Sequence, residues 1–110
     1  MTYDEKFMAA FDGFSGAHGQ TQISEERRAG KQKANSRIVR QPLTLDLVKS
    51  HLGGARGVGS IPIKENNKCL FGALDIDQYP LDLAAIDRRL RESEIPCIVC
   101  RSKSGGAHIF

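Results

Sequence analysis

The sequence predicts a small α+β domain, and three observations predict it. An apolar run from Cys69 climbs without a charge and stops on Asp75-Ile76-Asp77, as a strand leaving a core does. Two stretches carry apolar residues at helical spacing, Leu45/Val48/Leu52 and Leu83/Ile86/Leu90, each behind a capping residue. The second lies between two β-type runs. The expected architecture is a small mixed sheet (α/β in its local order) with a β-hairpin and a βαβ unit.

Taken in order, Glu5 to Phe11 reads as a short amphipathic helix with Phe7, Met8 and Phe11 on one side, and Phe11–Gly19 as a glycine-rich loop. Thr21 to Arg40 has almost no apolar periodicity, so a solvated helix or a disordered segment is expected. Thr44 caps a helix that Gly53-Gly54 closes. The β-type run Gly57–Ile63, the polar turn Lys64–Lys68 and the Asp-x-Asp strand together predict an antiparallel hairpin. Pro80 and Asp82 open the next helix, Pro96 stops it, and Pro96–Cys100 is a strand. Strand, crossover helix and strand make the βαβ unit.

At 110 residues the chain has room for one domain with a modest core. No apolar stretch is long enough to span a bilayer, so no membrane partner is expected. The first residues lack a basic segment followed by an apolar one, and the three cysteines suggest reduced thiols and a cytoplasmic location. Net charge is +3, and the excess sits in one block, Arg27, Arg28, Lys31, Lys33, Arg37 and Arg40 against Glu25 and Glu26. That block reads either as a solvated face or as an arm that tracks a nucleic-acid backbone. The chain ends on Ala107-His108-Ile109-Phe110, which reads as the opening of a strand, so a longer native chain is expected.

Two stretches carry chemistry. In a strand Asp75 and Asp77 share a face about 6.6 Å apart along the chain, and their carboxylates can converge on a divalent cation or on a pair of ions. Two like charges at the end of an apolar run are costly unless a cation neutralises them. Thirty residues on, Arg101-Ser102-Lys103-Ser104-Gly105-Gly106-Ala107-His108 places small residues and two cations between two strands. Consecutive N–H groups of Ser104, Gly105 and Gly106 can form an anion-binding nest, with Arg101, Lys103 and His108 adding charge-assisted bonds. Other signals fall away. Cys97 and Cys100 lie three apart in a β run and face opposite sides, so they read as buried cysteines. Gly57-x-Gly59 lacks the rest of a dinucleotide fingerprint. His18 and His51 have no partners at ligand spacing and read as surface or cap residues. Tyr79 stands where a haloacid-dehalogenase-type phosphotransferase needs Thr or Val.

An Asp-x-Asp strand followed by Ser-x-Ser-Gly-Gly-Ala-His resembles the archaeo-eukaryotic primase superfamily, in particular the primase-polymerase domain of TOTE conflict systems and their phage and plasmid relatives. The acidic pair Asp75/Asp77 is similar to that family's first motif and Gly106-Ala107-His108 to its second. The lead-in from Pro42 through His51-Leu52-Gly53-Gly54 to Gly57-Val58-Gly59-Ser60-Ile61-Pro62 is similar as well. The resemblance implies that residues 42–110 are the N-terminal part of a primase catalytic core, preceded at 1–41 by a helix, a glycine-rich loop and the basic arm. It implies template-directed nucleotidyl transfer, with Asp75, Asp77 and His108 catalytic and Mg²⁺ or Mn²⁺ on the two aspartates. Arg101, Lys103, Ser104, Gly105, Gly106 and His108 would hold the incoming nucleoside triphosphate, and a DNA or RNA template would be the polymer partner. A third, metal-binding aspartate motif is expected beyond Phe110, as are fused or associated helicase or nuclease domains, so the chain alone is expected to be inactive. Two other readings stay open: a non-catalytic nucleic-acid-binding module, and a different metal-dependent phosphotransferase.

Overall fold

The computed structural model describes residues 1–28 and 31–110, and for residues 23, 25–28, 31 and 32 the backbone alone. Among these are three helices and two three-stranded antiparallel sheets, so the α+β class is borne out. The chain divides into two compact units, the first built from Met1–Glu26 and Lys33–Phe71, the second chiefly from Gly72–Phe110.

In the first unit, α1 (Tyr3–Ala10) starts at Thr2, whose hydroxyl accepts from the Glu5 amide while the Glu5 carboxylate accepts from the Thr2 amide. This reciprocal pair satisfies two of the otherwise orphaned N-terminal donors. Helix α2 (Leu45–Leu52) begins at the expected cap, the Thr44 hydroxyl accepting from the Leu47 amide at 3.3 Å. Its Val48 is 1% exposed and anchors the small core. Phe7 of α1 stacks on Phe11 and on His51 of α2, and Phe11 meets Phe71 edge-on. The glycine-rich loop is tied down rather than free. The Phe14 amide donates to the Ile61 carbonyl, Lys64 pairs with Asp12 at 2.8 Å, and the Ser15 hydroxyl and amide both donate to Glu65. The Ser15 bonds hold the Glu65 carboxyl below its usual range, and the Asp12 hydrogen bond raises Lys64 above its own.

The described residues of the polar stretch after this loop are extended, where a solvated helix or a disordered segment was expected. They form strands β1 (His18–Arg28) and β2 (Lys31–Val39), neighbours in one sheet with order β2-β1-β3. Strand β3 (Gly57–Gly59) pairs with β1 in the register Gly19↔Gly59 and Thr21↔Gly57. This pairing overturns the expected hairpin between Gly57–Ile63 and the Asp-x-Asp strand. The turn itself forms, with Lys64 and Lys68 bonded and Asn67 in the left-handed region. Its two flanks, however, belong to different sheets, because β3 pairs with β1 and Leu74–Ile76 with Ala107–Ile109. His18 and His51 also differ from expectation. His18 is 1% exposed, its Nδ1–H donating to the Gln41 carbonyl, and the His51 Nδ1 accepts from the Val58 amide.

The second unit holds β4 (Leu74–Ile76), α3 (Leu83–Glu92), β5 (Val99–Arg101) and β6 (Ala107–Ile109). Asp82 caps α3 by accepting from the Ala85 amide, as expected, and Arg91 pairs with Asp87 one turn back. Strands β4 and β5 both run antiparallel to β6, so they run the same way, as a βαβ unit requires, with β6 between them. Cys97 is half-buried, while Cys69 and Cys100 are exposed free thiols, which corrects the reading of Cys97 and Cys100 as buried. Among the described residues no helix is long and apolar enough to cross a membrane.

Candidate nucleotide and metal site

The site grows out of one row of the second sheet. Asp75 on β4 stands opposite His108 on β6, and His108 stands opposite Cys100 on β5. Residues directly across antiparallel strands share a face, so these three side chains form a line, with Ile76, Ala107 and Arg101 on the other face. The His108 Nε2 lies 3.5 Å from an Asp75 Oδ, with 45% and 59% of the two side chains exposed. That pairing is looser than a strong charge-assisted bond and adds little stability at such exposure. Its effect is positional: the imidazole stands directly beside the carboxylate. The cause is the register itself, since β4 and β6 are hydrogen-bonded neighbours. Ile76 is half-exposed, as α3 packs on β5 and Leu74 of β4 stays 67% exposed.

Asp77 follows β4 directly and accepts a hydrogen bond from the Tyr79 hydroxyl at 3.1 Å. That hydroxyl is also bonded to the Ser104 side chain. Partial desolvation, then the Asp77 hydrogen bond and the charges of Asp77 and Asp75, push the phenol up, and Ser104 pulls it down. Tyr79 therefore stays protonated at neutral pH and bridges the acidic strand to the serine-glycine turn. Sequence reasoning passed over it as a mismatch to another motif. An aromatic residue two places beyond Asp-x-Asp is the signal that pointed to it. Tyr79→Phe is expected to leave the fold intact and to loosen this turn. Backbone amide exchange at Ser104–Gly106 should rise by about tenfold, the equivalent of roughly one hydrogen bond.

The turn closes through Ser102 and Gly106, the Ser102 amide donating to the Gly106 carbonyl at 3.0 Å. Gly105 has φ +93° and its amide is taken by the Ser102 carbonyl, so of the three amides expected to form a nest that of Gly105 is already engaged. Gly106 is buried, and a Cβ on it would overlap the Ile76 carbonyl oxygen. The Ser102 Oγ, which sequence reasoning did not single out, is buried without a hydrogen-bond partner among the described residues. Lys103 lies exposed in the turn, and Arg101 alternates onto the face away from His108. Of the basic arm, Lys33, Arg37 and Arg40 are exposed. The side chains of Arg27, Arg28 and Lys31 lie outside the described residues.

Asp75 and Asp77 offer hard, solvent-accessible oxygen donors. Mg²⁺ and Mn²⁺ sites of this kind take one or two carboxylates and complete their shell with water and phosphate oxygens, so the donor set fits an ion shared with a triphosphate. Among the described residues no three His, Cys, Asp or Glu side chains gather to hold an ion unaided.

Asp75 thus faces His108 across β4 and β6, and Asp77, just past the strand end, is joined through Tyr79 to the serine-glycine turn. The family model of the TOTE conflict system archaeo-eukaryotic primase domain matches residues 4–110, and the chain belongs to that family. The match takes in residues 4–41, ahead of the part of the chain on which the motifs lie. No curated protein and no solved structure matches the chain.

Proposed function

We propose that this chain carries the triphosphate-binding and metal-binding part of a primase-polymerase that performs template-directed nucleotidyl transfer, with residues 42–110 forming its catalytic portion. The observation that carries the reading is the β4–β6 register, which sets His108 against Asp75 while Tyr79 ties Asp77 to Ser104. A divalent ion bound by the two carboxylates would neutralise charge developing on the phosphates. Asp75 and Asp77 hold that ion at the strand end, where solvent and substrate reach it. The imidazole of His108, beside Asp75, donates to a phosphate oxygen, and Lys103 and the turn amides hold the remainder of the chain. Tyr79 keeps the turn in register with the carboxylates.

The test is a split between two binding measurements on the 110-residue chain. His108→Ala is expected to weaken Mn²⁺-dependent binding of a nucleoside triphosphate by about tenfold, as loss of one charge-assisted bond does. It should leave binding of a single-stranded oligonucleotide within about twofold. Wild-type triphosphate binding that ignores Mn²⁺ would contradict the proposal and favour a non-catalytic nucleic-acid-binding module.

A further inference from the structure

His18 is buried in the first unit at 1% exposure and takes no part in the site above. Its ring is bonded at both nitrogens. The Gln41 carbonyl can only accept, so Nδ1 carries a proton and donates to it at 2.8 Å. In the neutral ring Nε2 then accepts, and the Gln20 amide nitrogen donates to it at 3.1 Å. That bond fixes the direction of the Gln20 carboxamide. Its oxygen faces Arg37 of β2 and accepts from Nη2 at 3.1 Å. Through one amide, a buried ring decides where an exposed guanidinium is held.

A proton taken up from solvent at Nε2 turns that acceptor into a donor, and donor then faces donor. The carboxamide carries its oxygen on the other arm, and half a turn about its last, two-fold torsion brings that oxygen to the ring. The imidazolium is then bonded to Gln41 and Gln20 at once, so the charged ring is satisfied as well. The amide nitrogen now faces Arg37, and two cations flank one carboxamide with no acceptor between nitrogen and guanidinium. Arg37 is exposed and leaves for water. The strands keep a second side-chain bond, between the Thr21 and Ser36 hydroxyls at 3.0 Å.

The surroundings bring no group that cancels this effect. β3 (Gly57–Gly59) has no titratable side chain. On β2 and beyond, Lys33 and Arg40 are exposed, as are Asp46 and Lys49 of α2. Among the described residues no carboxylate bonds to His18, Gln20 or Arg37. His51 of α2 accepts from the Val58 amide through Nδ1, so its own protonation acts on α2 and β3 and leaves the Gln20 amide alone.

We infer that His18, Gln20 and Arg37 form a pH-operated latch: neutral His18 holds Arg37 to β1, and protonated His18 turns the Gln20 carboxamide over and releases it. Histidine is the side chain that ordinarily changes charge between about pH 5 and 8. Pairing of the ring in both states separates this latch from plain acid unfolding. None of the three residues belongs to the triphosphate and metal site, so the latch stands or falls independently of the proposed function.

The experiment follows the ring and side-chain nitrogens of the isotope-labelled 110-residue chain by NMR from about pH 8 to about pH 5. Protection of the Arg37 Nη–H groups from exchange with water is read as a ratio to exposed Arg88, which shares the intrinsic pH dependence. The ratio is expected to fall about fivefold, the worth of roughly one hydrogen bond, with the midpoint of the His18 ring signals. Gln20→Glu offers an acceptor to the imidazolium and to Arg37 together, so its ratio should change less than about twofold. Gln20→Leu removes both bonds and should give the low ratio throughout. A wild-type ratio that stays constant across the range would overturn the latch, as would one that follows the His51 midpoint. A matching loss of protection along the β1 backbone amides would overturn it too, since His18 would then lock the fold and not switch Arg37.

Discussion

Asp75→Asn is expected to abolish Mn²⁺-dependent triphosphate binding while leaving the thermal unfolding midpoint of the chain nearly unchanged. The substitution keeps the size of the side chain and removes the charge that an ion needs. Metal-mediated charge neutralisation is worth several kcal/mol, so the loss should reach about 100-fold or more. Stability should change by less than about 1 kcal/mol, because the Asp75–His108 pair is largely exposed and such pairs contribute little. Calorimetric titration with Mn²⁺ and a non-hydrolysable triphosphate, alongside a thermal melt, separates the two effects. Retained binding would remove Asp75 from the metal site. A collapsed melt would assign it to the fold.

Gly106→Ala is expected to do the opposite, destabilising the second unit with no change in charge. The added methyl would overlap the Ile76 carbonyl oxygen, which is backbone and cannot swing away, with the Ser102 Oγ and the Tyr79 ring close by. Overpacking at a buried position typically costs about 1–3 kcal/mol. In a domain of this size that lowers the unfolding midpoint by roughly 5–20 °C, which circular dichroism would detect. Triphosphate binding should fall with it, since Ala107 and His108 follow directly in β6. A variant as stable as the wild type would mean that the turn relaxes freely around residue 106.

The fold was legible where local chemistry decides structure. Thr44 and Asp82 announce their helices because a hydroxyl or carboxylate before an apolar-periodic run satisfies amides that nothing else nearby can reach. The strand after Asp82's helix and the return of His108 follow from chain reversal at a glycine turn. Residues 18–39 were not legible. Runs such as Gln20-Thr21-Gln22 alternate no apolar with polar residues, so a period-2 test finds nothing. Their pairing is decided by β1 capturing β3, with Gly19 facing Gly59, a contact forty residues apart in sequence. The same capture removed the expected hairpin before β4. In the candidate site, Asp75, Asp77 and His108 could be named from the sequence, but the contact of Asp75 with His108 depends on register, which no local pattern encodes. Tyr79 was overlooked because its role is to join two motifs, and that role exists only once β4 and the 102–106 turn are brought together.

The most direct test is a crystal of the chain grown with Mn²⁺ and a non-hydrolysable nucleoside triphosphate, with the ion located by its anomalous scattering. The expected result is an ion within coordination distance of both the Asp75 and Asp77 carboxylates and of triphosphate oxygens, with His108 in hydrogen-bond reach of the same phosphates. An ion and triphosphate bound away from the β4–β6 row, with both carboxylates left to solvent, would contradict it.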